Sequence, residues 1–154
     1  MKYSLQIIFV FAFLYGNSQS NLVPNPSFET YTNCPSSSNQ VSYASPWMNP
    51  TSAGSPDYYN ACSSLVSVPY CGGPCFQYAK TGSAYVGLYS YGKQVSNVRE
   101  YIQAQLTSSL TIGKCYYVGF YTNEANWTGM ASNKLGAYLS PNQITLSGPS
   151  YLMS

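Results

Sequence analysis

The sequence predicts an all-β domain built as an antiparallel sheet or sandwich. Four segments alternate apolar and polar residues with a period of two, the spacing of a half-buried strand. The connections between them are rich in Gly, Pro, Ser and Asn, the residues that turns demand. No stretch sustains the repeat of a long amphipathic helix; a short helical turn is expected only around Pro56–Ala61.

Residues 1–20 stand apart from this domain. Lys2 precedes an unbroken apolar run, Ile7–Leu14, and small residues then recur at alternate positions up to Ser20. That is the layout of a secretory signal, and the run is far shorter than the roughly 20 residues that cross a bilayer. The expectation is a signal peptide over 1–20, a domain over 21–154, and a secreted or cell-surface mature chain with no membrane span. Asn21–Glu29, N-L-V-P-N-P-S-F-E, reads as a first strand whose prolines mark a sheet edge.

Tyr31–Ser83 is long and irregular, with short strands expected near Tyr43–Met48 and Leu65–Val68. So much unperiodic sequence in a domain points to a loop system that disulfides hold or function uses. Its centre is Trp47–Cys62, W-M-N-P-T-S-A-G-S-P-D-Y-Y-N-A-C, with an aromatic anchor, a carboxylate and paired tyrosines. Asp57, after Pro56, reads either as a hydrogen-bond acceptor for a ligand or as the N-cap of the short helical turn, the cap being favoured.

The four alternating segments follow. Ala84–Tyr91 sets Val86 and Leu88 on one face, and Tyr85 and Tyr89 on the other. Arg99–Leu106 turns Ile102, Ala104 and Leu106 inward, with Arg99, Tyr101, Gln103 and Gln105 outward; Glu100 falls in the inward register. Lys114–Asn123 separates Tyr116, Val118 and Phe120 from Cys115, Tyr117 and Tyr121. Lys134–Ser140 turns Leu135, Ala137 and Leu139 inward, with Lys134 and Tyr138 outward. The tail after Pro141 is turn-like and offers no late strand to pair with the first, so the sandwich is expected to lack its final strands.

Composition removes several functions. Histidine is absent, which excludes His-based acid–base chemistry and His metal ligation. The formal net charge of +2 leaves no basic footprint for nucleic acid. Five cysteines, at 34, 62, 71, 75 and 115, imply disulfides with one thiol left over in an exported chain. The favoured pairing is Cys34–Cys62, closing the long loop, and Cys71–Cys75, pinning a Gly-Gly-Pro turn, while other connectivities stay open. Cys115 reads as a buried free thiol. C-x3-C at Cys71 and Cys75 has no second pair at zinc-ligand spacing.

Several of these pieces together carry a resemblance. N-L-V-P-N-P-S-F-E resembles the first strand of galactose-binding-like jelly rolls, the fold of many carbohydrate-binding modules. Trp47 followed by Pro56-Asp-Tyr-Tyr-Asn-Ala-Cys62, with Tyr78-Ala-Lys-Thr-Gly82, Arg99-Glu-Tyr-Ile-Gln103, Gly113-Lys-Cys-Tyr-Tyr-Val118 and Leu135-Gly-Ala-Tyr138, is similar to a bacterial cell-surface family. In that family a peptidoglycan-binding outer-membrane domain or a type IX secretion sorting signal often follows. The resemblance implies a jelly-roll sandwich. It also implies a structural Ca²⁺ held by carboxylates of the first and last strands, for which only Glu29 is in place here.

Catalysis finds little support in the residues. Glycoside hydrolysis needs two facing carboxyl groups, and the candidates are only Glu29, Asp57, Glu100 and Glu124. No G-x-S-x-G elbow occurs. Non-catalytic binding suits the chain better, because sugars stack their C–H faces on aromatic rings while hydroxyls take polar partners. Tyr85, Tyr89, Tyr101, Tyr117, Tyr121 and Tyr138 would form the face, beside Arg99, Gln103 and Gln105, with Trp47, Asp57, Tyr58, Tyr59 and Trp127 contributed by loops. The opposing reading has the long loop covering these rings as a second core, with Trp47 as an anchor beneath it. A spacer or adhesin module that binds protein at the outer membrane is the alternative function. Asn126-Trp127-Thr128 matches a glycosylation acceptor and reads as a loop.

Overall fold

The computed structural model describes residues 19–73, 75–90, 99–126 and 132–147. The expected leader therefore falls almost wholly outside the described residues, as do Tyr91, Trp127, Thr128 and the tail from 148. Among the described residues no helix is long and apolar enough to cross a membrane.

Regular structure is sparse and mostly non-helical, in keeping with an all-β class. A 3-10 turn at Val41–Tyr43 precedes β1 (Asp57–Asn60) and β2 (Ala84–Gly87), which pair as a two-stranded antiparallel sheet. Asp57 lies opposite Gly87, Tyr58 opposite Val86, Tyr59 opposite Tyr85 and Asn60 opposite Ala84. Alternation gives this sheet two faces. Tyr58, Asn60, Ala84 and Val86 point inward; Asp57, Tyr59 and Tyr85 share the outer face with Gly87.

The expected helical turn at Pro56–Ala61 is thus a strand, and Asp57 opens it instead of capping a helix. Two adjacent tyrosines favour the extended chain, in which one ring enters the core and the other lies on the surface. Tyr58 is fully buried with Ala44 and Ala84, and Phe28, Tyr43 and Val86 pack around them. Its hydroxyl donates to Phe28 O at 2.8 Å and accepts from Asn60 Nδ2 at 2.7 Å. Burial holds this phenol above its ordinary range, and the Asn60 hydrogen bond acts the other way.

Asn21–Glu29 is not a strand. Asn25 (φ 42°) and Phe28 (φ 62°) adopt left-handed backbone, which no extended run survives. Asn25 replaces the missing ladder with its own amide: Nδ2 donates to Thr30 O and Ser45 O, and Oδ1 accepts from Thr30 N–H. Trp47 clamps the same corner, donating from Nε1 to Asn25 O at 3.0 Å and packing on Phe28 with ring centroids 5.2 Å apart. Trp47 is half-buried and anchors this corner through that bond and that ring contact.

Other expected strands shorten or disappear. Around Tyr43–Met48 the chain forms the 3-10 turn, then a single antiparallel bridge between Met48 and Gln103. Leu65–Val68 forms no strand; Val66 is buried and its carbonyl accepts from Asn60 N–H at 3.1 Å. Ala84–Tyr91 yields β2, while Arg99–Leu106 contributes only the Gln103 bridge. Described residues of Lys114–Asn123 and Lys134–Ser140 form no strand and lie exposed. Cys115 is exposed as well, not buried. Alternation becomes a strand only where a second backbone lies alongside, and no described segment pairs with residues 115–122.

Both disulfides are as expected: Cys34–Cys62 ties the turn before Val41 to the end of β1, and Cys71–Cys75 closes a reversal in which Cys75 N–H donates to Gly72 O at 3.1 Å. The second creates a tight reversal in which Tyr70 bridges Phe76.

Candidate functional site

The outer face of the two-stranded sheet gathers more of the expected binding residues than any other surface described. Tyr59 and Tyr85, paired in register, stack with centroids 4.9 Å apart and planes 23° from parallel. Gly87 eases this: a Cβ there would stand 3.0 Å from Tyr59 Cε2 and press the ring aside. Asp57 completes the face. Its Oδ1 accepts from Asn39 N–H at 2.7 Å and its Oδ2 from the Tyr59 hydroxyl at 3.2 Å. Burial, and then the Asp57 carboxylate beside it, hold the Tyr59 phenol well above its ordinary range.

Tyr89 stands just past β2 and is 61% exposed. Glu100 fixes it from below, donating its N–H to Tyr89 O at 2.8 Å while Oε2 accepts Tyr89 N–H at 2.9 Å. The other oxygen, Oε1, takes both the N–H and the hydroxyl of Ser55, at 2.8 and 2.9 Å. A buried carboxylate satisfied by three donors locks the 49–56 loop to the segment carrying Tyr89. Arg99 lies at the same edge, donating from Nη1 to Ser90 O at 2.8 Å. The arrangement offers two stacked rings, a third exposed ring, a carboxylate acceptor and a guanidinium at one rim.

One atom in it is unsatisfied. The Tyr85 hydroxyl is shut off from solvent and has no hydrogen-bond partner among the described residues. Burial pushes its pKa up to about 12. An enclosed, unpaired hydroxyl costs about 1–3 kcal/mol, so Tyr85→Phe should raise the thermal unfolding midpoint by about 3 °C. The pH dependence follows the same group. A folded-state pKa raised from 10.0 to about 12 means the native state keeps its proton after the unfolded chain has lost it. The contribution of this group to stability is therefore whole below pH 10 and is lost as pH rises toward 12. Unfolding midpoints across that range should fall less steeply in Tyr85→Phe than in the natural chain.

The remaining expected site residues lie elsewhere. Tyr58 belongs to the core and reaches no ligand. Gln103 acts as internal glue: its Nε2 donates to Ile144 O at 2.8 Å and its Oε1 accepts from Ile144 N–H at 3.1 Å, so a side-chain amide imitates a strand partner. Tyr101 is half-buried, and Trp127 lies outside the described residues. Glu29 spends its Oε1 on Ser83 N–H at 2.9 Å, against Gly82, whose φ of +67° and lack of a Cβ admit the carboxylate. Among the described residues no three His, Cys, Asp or Glu side chains gather to hold a metal ion.

Sequence reasoning missed a second aromatic row. Tyr70, Phe76 and Tyr78 touch edge to face, each successive pair of centroids 5.1 Å apart, on the reversal closed by Cys71–Cys75. The signal was present, because Phe76 and Tyr78 alternate directly after the cysteine that fixes the turn. Lys80 extends this side, its Nζ 4.5 Å above the Tyr121 ring.

No protein-family model, curated protein or solved structure matches the chain. The functional reading therefore rests on the chain's own geometry.

Proposed function

We propose that the protein is a non-catalytic binding module of jelly-roll type, secreted or held at the cell surface, which recognises neutral carbohydrate on the outer face of β1 and β2. The observation that carries the reading is the stacked Tyr59–Tyr85 pair, with Tyr89 exposed beside it and Asp57 at its edge. Flat apolar rings bordered by a few fixed polar groups suit a ligand with C–H faces and hydroxyls. The carboxylates support binding over hydrolysis: Glu29, Asp57 and Glu100 each accept a main-chain N–H from a different loop and so act as struts. Two disulfides favour an oxidising compartment.

The test is thermal unfolding of residues 21–154 against a panel of neutral polysaccharides. A ligand that binds only the native state raises the midpoint by mass action. One polysaccharide class should do so, and Tyr89→Ala, which removes an exposed ring, should weaken that binding at least tenfold with the unliganded midpoint unchanged. A midpoint that no polysaccharide moves would sink the carbohydrate reading and favour the spacer or adhesin module.

A further inference from the structure

Residues 114–124 present an unusual surface. The stretch K-C-Y-Y-V-G-F-Y-T-N-E has strand composition and strand alternation, yet residues 115–122 form no main-chain hydrogen bond with any described residue. Its two ends are held: Lys114 N–H donates to Thr111 O at 3.2 Å, and at the far end Asn126 Oδ1 accepts Phe76 N–H while the Asn123 amide donates to Gln77 Oε1. Exposure between them is two-sided. Tyr117 and Tyr121 are 92% and 79% exposed, against 42%, 52% and 53% for Tyr116, Val118 and Phe120. The Tyr117 ring also folds over Gly119, two residues on, as neighbours on one face of an extended chain do. An apolar segment whose backbone pairs with no other among the described residues is a template for another strand.

The charges at its ends say which strand. Antiparallel pairing of this segment with itself, centred on Gly119, sets Lys114 of one copy opposite Glu124 of the other, and the twofold axis repeats the pair. On that face Val118 then meets Phe120, and Tyr116 meets Thr122. On the other face Tyr117 meets Tyr121 across a pair of glycines that leave room for both rings. Apolar residues occupy the middle and opposite charges close both ends, so the segment is complementary to its own copy. We propose that residues 114–124 are a homodimerisation strand, joining two copies of the chain by antiparallel strand addition centred on Gly119. In this register Cys115 faces Asn123, so the dimer needs no disulfide between copies.

Sedimentation equilibrium over a concentration series tests this. The natural chain should dimerise reversibly, and Cys115→Ser, which removes the one free thiol and leaves both disulfides intact, should dimerise as strongly. Lys114→Glu and Glu124→Lys, each tested alone, set like charges at both ends and should weaken association roughly tenfold, because each change acts twice in a twofold dimer. Mixing the two variants should restore it as a heterodimer, since one chain then carries two acidic ends and the other two basic ends. A natural chain that stays monomeric throughout overturns the proposal. So does dimerisation of the single variants at natural strength, or a mixture that associates no better than either variant alone.

Discussion

Replacing Cys34 and Cys62 together by serine should cost the folded state about 3–4 kcal/mol, the chain entropy released by opening a loop of 28 residues. Replacing Cys71 and Cys75, which close a span of only 4, should cost about 2 kcal/mol. The first loss is large for this chain because the buried cluster it supports is small, centred on Ala44, Tyr58 and Ala84. Domains have only about 5–15 kcal/mol to lose. The 34–62 bridge also does what the sheet cannot: it ties the chain before the 3-10 turn to the end of β1, across a region with little main-chain pairing of its own. The 34/62 variant should unfold about 10 °C lower than the natural chain, or without a cooperative transition, whereas the 71/75 variant should keep a cooperative one. Calorimetry of the two double variants decides. If the 71/75 pair proves the costlier, loop entropy is not what the bridges contribute.

How much of this was legible beforehand depends on the range of the forces involved. The disulfide pairing was, because loop length and turn chemistry are local to the sequence. So were the burial of Glu100 and the exposure of Tyr89, whereas Tyr85, read as outward, is half-buried with its hydroxyl enclosed. What failed were inferences that needed a partner. Asn21–Glu29 and Lys114–Asn123 have strand-like composition, but a strand exists only when a second backbone lies beside it, and alternation cannot say which segment that will be. Gln103 shows the limit from the other side. It read as an outward polar group suited to a ligand, yet its amide pairs with Ile144, a distant main-chain contact that no local pattern encodes. Asp57 was misplaced for a nearer reason. Ser-Pro-Asp favours a helix start, and the alternation of Tyr58 and Tyr59 between core and surface outweighed it.

That alternation makes the two tyrosines of the paired strands opposites in their response to one change. Tyr58→Ala empties the largest fully buried side chain of the core and should cost about 3–5 kcal/mol. Tyr58→Phe keeps the ring and removes only the hydroxyl, but that oxygen serves both Phe28 O and Asn60 Nδ2. Its loss leaves the buried Asn60 amide and the half-buried Phe28 carbonyl without this partner, at a cost of about 1–3 kcal/mol. The identical deletion at Tyr85 removes a hydroxyl that bonds to nothing described, so its sign reverses. Chemical denaturation of Tyr58→Phe and Tyr85→Phe should therefore move the midpoint in opposite directions, with similar slopes because neither changes the surface exposed on unfolding. A fall of equal size in both would mean that ring packing, and not the fate of the hydroxyl, governs each site. The Tyr85 oxygen would then have a partner in solution, and the outer face would be more firmly built than its geometry implies.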